Sequence, residues 1–143
     1  MAIEISICDN VDETVVAALG KLIPQLSASS SLPSAEQLSE ILDHDASTLL
    51  LAREGDTIVG SMTLVVFPIP TGTRAWIEDV VVDEGARGQG VGEALNRRAI
   101  EIALKAGAKT VDLTSRPSRK AANRLYQRLG FTARETNIYR YQA

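Results

Sequence analysis

Apolar residues at Ile3, Ile5 and Ile7 alternate with polar ones, which predicts a strand with one buried face. The period then changes. From Val15 the apolar positions Leu19, Leu22, Ile23 and Leu26 recur at offsets of 4, 7, 8 and 11, the stripe of a helix that Asp9 or Asn10 can cap and that ends before the serine-rich stretch Ser27–Ser31. Pro33 and Ser34 introduce a second short helix carrying Leu38, Ile41 and Leu42, and Leu49–Leu51 begins a buried strand. After a turn at Gly55–Asp56, the β-rich run Thr57–Phe67 is closed by Pro68, Pro70 and Gly72, which predicts a hairpin followed by a mobile loop; Arg74–Asp83 is a further strand. Val91, Leu95, Ala99, Ile102 and Ala106 mark a helix stopped by Gly107, and Val111–Leu113 is a strand. A helix from about Arg119 to Leu129 ends at Gly130, and Phe131–Arg134 and Ile138–Tyr141 read as a final pair of strands. The order β-α-α-β-β-β-α-β-α-β-β describes a mixed α/β sheet flanked by helices, with no repeat or linker to divide residues 1–143 into more than one domain.

A chain of 143 residues, 45% hydrophobic and 23% charged, holds enough apolar material for one compact core. The single cysteine, Cys8, has no internal disulfide partner, and with His44 as the only histidine no metal-ligand cluster is expected. No run of eighteen apolar residues is present, and the first residues lack the basic patch and apolar block of a leader, so a cytoplasmic protein without membrane contact is expected.

The net charge of -3 argues against nucleic acid as the partner, but it averages two unlike halves. Residues 1–86 carry 14 acidic and 3 basic side chains (3 - 14 = -11), and residues 87–143 carry 12 basic and 4 acidic ones (12 - 4 = +8). An anionic ligand held by the second half is one reading; segregated, solvated helix faces are the other.

The informative stretch runs from Glu78 through Val80, Val82 and Arg87 to Gly92, a strand leading into a glycine loop that opens a helix. Such a loop aims unpaired backbone N–H groups and the positive end of a helix dipole at one place, which suits a phosphate. Spacing eliminates two familiar phosphate loops. The dinucleotide fingerprint needs a sixth-position glycine, where Gly88 and Gly90 are followed by Glu93, and a nucleotide-triphosphate loop needs Lys and Ser or Thr after its last glycine, where Val91 and Gly92 stand.

What remains is Arg-x-x-Gly-x-Gly, supplied by Arg87, Gly90 and Gly92, and here the sequence resembles the GNAT superfamily of N-acetyltransferases. A second segment, Asn123-Arg124-Leu125-Tyr126 ahead of Gly130-Phe131, looks like that family's Asn-x-x-Tyr helix, and Ile77–Val82 is similar to the corresponding strand of glucosamine-phosphate N-acetyltransferases. The resemblance implies a mixed, mostly antiparallel sheet splayed between its fourth and fifth strands. It implies acetyl-CoA as co-substrate, its diphosphate on the amides of Gly88, Gln89, Gly90, Val91 and Gly92 beside Arg87, its pantetheine arm on the backbone of Val80 and Val82, and Asn123 at the cofactor. A small-molecule or peptide amine as acceptor and a homodimeric assembly belong to the same expectation.

Acetyl transfer to an amine requires a proton to leave the ammonium and another to reach the departing thiolate. Tyr126 shares a helix face with Asn123, and a phenol of pKa ~10 stands only about 1.5 units above a thiol, a step of roughly 2 kcal/mol, so it fits the proton donor that the family places there. Its alternative is a packing aromatic beside Leu125 and Leu129. Glu78 is the candidate base; a carboxylate is a much weaker base than an alkylamine, so a water relay is expected, and a purely structural role is the alternative. Strand alternation puts Trp76, Glu78, Val80 and Val82 on one face and Ile77, Asp79 and Val81 on the other. Arg116, Arg119 and Lys120 could meet a further phosphate or an acidic substrate, His44 could line the acceptor cleft or sit in a surface turn, and Trp76 could border that cleft or pack in the core. The second functional class compatible with the same residues is a non-catalytic acyl-CoA-binding or sensing module.

Overall fold

A computed structural model describes residues 2–143. The chain forms two compact units, Met1–Leu113 and Thr114–Ala143, each considered by itself. The first holds β1 (Ile3–Ile7), α1 (Glu13–Leu26), α2 (Ala35–Asp43), β2 (Ser47–Glu54), β3 (Thr57–Ile69), β4 (Gly72–Val82), α3 (Val91–Lys105) and β5 (Thr110–Asp112); the second holds α4 (Lys120–Arg128).

The five strands form one sheet in chain order, antiparallel from β1 to β4 and parallel between β4 and β5, as the mixed pattern required. Helices pack on both faces. Val15, Leu19 and Leu22 of α1 and Leu38 of α2 join Leu49, Leu51, Ile58 and Val81 in one core cluster. The opposite face receives α3, whose Val91 and Leu95 approach so closely at Gly60 that a β-carbon there would lie 3.0 Å from Val91 Cγ1. A glycine is therefore what lets the α3 N-terminus press against the sheet. Among the described residues no helix is long and apolar enough to cross a membrane.

Three differences from the sequence expectation have local causes. The first helix starts at Glu13, because Asp12 and not Asp9 or Asn10 accepts the Val15 amide as N-cap. No mobile loop follows Phe67; β3 and β4 run on to Ile69 and from Gly72, paired as far as Ile69↔Gly72, so the prolines sit at a tight hairpin tip. In the second unit the expected strands Phe131–Arg134 and Ile138–Tyr141 do not form. Beyond the bond from Phe131 N–H to the Tyr126 carbonyl, no backbone partner is found among the described residues, and Ile138, Tyr139 and Tyr141 are exposed. Alternation alone stabilises nothing without a neighbouring strand to pair with.

Candidate active site

The first unit gathers its candidate residues around the end of β4. β5 pairs with β4 only from Arg74↔Thr110 to Trp76↔Asp112, so from Ile77 to Val82 the far edge of β4 has no strand partner among the described residues. This is the splay the sheet was expected to show. On its other edge β4 is irregular: Ser61 pairs with Val81 and Thr63 with Glu78, so Asp79 and Val80 together oppose Met62. Asp79 absorbs the bulge with φ +52°, a left-handed conformation that aspartate tolerates better than most residues.

The bulge corrects the alternation read from sequence. Directly paired residues share a face, so Glu78 lies with Thr63 and Trp76 on the side of α1 and α2, together with Val81, while Val82 pairs with Gly60 on the α3 side. Glu78 therefore does not share a face with Val82. It is exposed, as is Asp79.

After β4 a 3₁₀ turn, Glu84–Ala86, leads through Arg87 to Gly88 (φ +80°) and Gly90 (φ +82°), and Gly90 caps α3 without a side-chain bond. An added β-carbon at either glycine meets nothing within 4 Å, so backbone conformation, not crowding, requires glycine there. Among the described residues the amides of residues 88–93 reach no acceptor, and they sit at the positive end of a 15-residue helix. Arg87 donates Nε to the Val82 carbonyl at 3.3 Å, and its terminal nitrogens have no partner among the described residues. Buried Asn96 donates Nδ2 to the Gly92 carbonyl at 2.8 Å and pins the first turn of α3.

One tie to this loop had no signal in the sequence. Gln25, near the end of α1, donates Nε2 to Asp83 Oδ1 at 2.8 Å and accepts the Glu84 amide at 2.9 Å, while Asp83 Oδ2 takes the Gly85 amide at 3.3 Å. The Gln25 hydrogen bond, with the Lys21 ammonium 3.6 Å away, holds the Asp83 carboxyl below the usual carboxylate range against a smaller opposing effect of burial. Periodicity reports faces of elements and cannot show a bond between positions 58 apart.

The second unit carries Asn123 and Tyr126 on α4. Asn123 Nδ2 donates to the carbonyls of Arg116 (2.9 Å) and Arg119 (2.8 Å), folding the preceding loop onto the helix start, and Oδ1 has no partner among the described residues. Tyr126 is buried and meets Phe131 edge to face, ring centroids 5.9 Å apart. Burial pushes its phenol up from the ordinary value, opposed by the Arg119 charge, and its hydroxyl takes no hydrogen bond among the described residues. Arg116, Arg119 and Lys120 are exposed. His44 is an exposed turn residue whose Nδ1 accepts the Ala46 amide at 3.1 Å. Among the described residues no group of three or more His, Cys, Asp or Glu is placed to hold a metal ion.

Comparison with known proteins bears on the family and the fold. The family model described as "Acetyltransferase (GNAT) family" matches residues 20–131. Glucosamine 6-phosphate N-acetyltransferase of Trypanosoma brucei brucei is 46% identical over 84 residues, 57% of this chain and 55% of that protein. L-2,4-diaminobutyric acid acetyltransferase of Shouchella clausii is 30% identical over 112 residues, 77% of this chain and 62% of that protein. The chain thus spans little more than half the length of these two relatives. Among solved structures, an aminoglycoside acetyltransferase from an uncultured soil metagenomic sample superposes with TM-score 0.85 over 99% of this chain and 95% of its own, at 22% identity, which speaks for the fold alone.

Proposed function

Since this chain belongs to the GNAT acetyltransferase family, we propose that it moves an acetyl group from acetyl-CoA to a primary amine by direct attack in a ternary complex, residues 1–143 acting as one catalytic domain. The observation that carries this reading is the loop of residues 88–93, with its left-handed glycines and its row of amides without acceptors. A diphosphate suits that donor set, because each amide adds a hydrogen bond to an anion already favoured by the helix dipole.

In this reading Gly88, Gln89, Gly90, Val91 and Gly92 hold the diphosphate through their amides, and Arg87 adds charge. Val80 and Val82 lie on the unpartnered edge of β4, where an extended chain bearing amides can add like a strand. Asn123 serves the same ligand through its free Oδ1. Acetyl-CoA, when bound, supplies an acyl group activated as a thioester. A backbone N–H near Val80 polarises the acyl carbonyl, and most of the rate comes from holding amine and thioester together.

Glu78 receives the ammonium proton through water, and Tyr126 gives a proton to the departing sulfur. Desolvation keeps Tyr126 in the protonated, donating form across the neutral range; it also makes the phenol a weaker acid, so the sulfur must gain more than the ~2 kcal/mol that separates the unperturbed groups. The two relatives' names speak of glucosamine 6-phosphate and of L-2,4-diaminobutyric acid, both of which fall in the acceptor class proposed.

The test is calorimetric titration with coenzyme A followed by a thiol-release screen with acetyl-CoA against amines of differing charge. Heat, a rise in Tm and thiol release with at least one amine are expected. No heat and no thermal shift at millimolar coenzyme A refutes the reading, and binding without thiol release across the panel replaces it with a non-catalytic module.

A further inference from the structure

The first unit leaves part of its sheet open on the side of α1 and α2. The core cluster beneath these helices ends, on β4, at Val81. Beyond the bulge, toward the hairpin tip, the same face carries Glu78, Trp76 and Arg74, paired with Thr63, Val65 and Phe67 of β3. Glu78 and Arg74 are exposed, and Trp76, Thr63, Val65 and Phe67 are half-buried. An aromatic and apolar floor therefore lies between a carboxylate and a guanidinium whose α-carbons, four residues apart on one strand, stand about 13 Å from each other.

The guanidinium is the unusual element. Residues 1–86 contain three basic side chains against 14 acidic ones. Lys21 lies against Asp83, and Arg53 donates to Ser6 Oγ at 2.9 Å. Arg74 makes no ion pair or side-chain hydrogen bond among the described residues, not even with Glu78 on its own face. A lone cation in so acidic a region, set across a flat aromatic from an equally free carboxylate, is complementary to a molecule with one charge of each sign.

We infer that this face of β4 is the acceptor shelf, and that the acceptor is a small amine that also carries an anionic group, a carboxylate or a phosphate. The inference rests on the transferase reading above and narrows its substrate class. Glu78 takes the ammonium beside the bulge, Trp76 with Val65 supports the body of the molecule, and Arg74 takes the anion. An amine without an anion leaves Arg74 unused, and a polycation meets it as a like charge.

The test compares amines in matched forms, each as its carboxylate, its phosphate monoester and its neutral amide or alcohol, by thiol release and by the fluorescence of Trp76, the only tryptophan. Wild-type protein should favour an anionic form over its neutral counterpart by at least about tenfold in kcat/KM, equivalent to about 1.4 kcal/mol. The carboxylate and phosphate arms show which anion is used. Arg74→Gln should bring the ratio to about one, Arg74→Lys should retain part of it, and coenzyme A should bind all three proteins alike. The fluorescence should change saturably with the anionic amine, and this change should be lost in Arg74→Gln. A charge-blind wild-type enzyme, or a preference that survives Arg74→Gln, overturns the inference while leaving the transferase reading intact. Arg74-dependent fluorescence without thiol release for any amine upholds the shelf and overturns the transferase.

Discussion

Gly88→Ala isolates the conformation of the loop from everything else that the loop does. At φ +80° an L-residue costs about 1–2 kcal/mol relative to glycine, and because an added β-carbon meets nothing within 4 Å, the whole cost is in the backbone. Where it is registered depends on what holds the loop. Gly88 is exposed and its amide has no acceptor among the described residues, so in the free protein an alanine can relax away from positive φ at little expense. The left-handed conformation must then be restored when coenzyme A binds, and 1–2 kcal/mol appears as a Kd raised about fivefold to thirtyfold, with Tm nearly unchanged. Gly90 differs, since its carbonyl accepts the Ala94 amide and its relaxation would fray α3; Gly90→Ala should divide the same cost between Tm and Kd. Gly88→Asn gives the internal control, because asparagine tolerates the left-handed region, and it should fall between glycine and alanine. Isothermal titration with coenzyme A and a thermal melt on each variant measure both quantities. If Gly88→Ala changes neither by more than its error, or if asparagine binds worse than alanine, loop conformation is not what the ligand uses.

Gln25→Ala removes both of the Gln25 hydrogen bonds between α1 and the loop and should cost about 1–2 kcal/mol, shared between Tm and the KM for acetyl-CoA; Gln25→Glu should not rescue it, since a carboxylate there repels Asp83. Because the folded pKa of Asp83 is lowered, this tie is fully made above the ordinary carboxylate pKa of ~3.9 and is lost as pH falls through the lower folded value, so coenzyme A affinity should show no step from Asp83 between about pH 5 and 8 and a decline below about pH 4. Asp79→Val, which strand propensity favours, should instead lower Tm by about 4–8 °C in a thermal melt, since a β-branched residue resists φ +52°. Tyr126→Phe should reduce kcat by about two to four orders of magnitude with the Kd of coenzyme A within about twofold; as burial raises its pKa, the donor form persists past pH 10 and no Tyr126-dependent fall in rate should appear below that.

What the sequence disclosed follows the range of each physical signal. The stripe Val15, Leu19, Leu22 and the repeat Val91, Leu95, Ala99 located α1 and α3 because apolar burial acts on every turn of a helix. The loop was legible for a different reason: positive φ at Gly88 and Gly90 all but demands glycine, so conformation is written directly in residue type. At Asp79 the same left-handed φ falls on a residue that does not advertise it, and alternation therefore grouped Glu78 with Val82 and separated it from Val81, the reverse of the observed faces. The Gln25–Asp83 tie left no local trace, and the alternating Ile138–Tyr141 segment gave a strand pattern where the structure has no strand.

In the proposed reading, the bulge also lets one strand serve two ligands. A regular β4 would carry its side chains in strict alternation from Arg74 to Val82, and Glu78 would fall opposite Val81. Inserting Asp79 gives Glu78 and Val81 the same face, so the carboxylate emerges just where the cover of α1 ends, in line with Trp76 and Arg74. The inserted residue lies in the stretch from Ile77 to Val82 where β4 has lost β5 as a neighbour, and where its backbone is consequently open along the other edge. The cost is one non-glycine residue at φ +52°, sustained by regular pairing with β3 on both sides, Thr63↔Glu78 before it and Ser61↔Val81 after it. In the reading proposed above, a single distortion assigns the face of the strand to an amine and its edge to an amide-bearing cofactor, and Asp79→Val should then disturb both together, with the KM for the amine and for acetyl-CoA moving in the same variant.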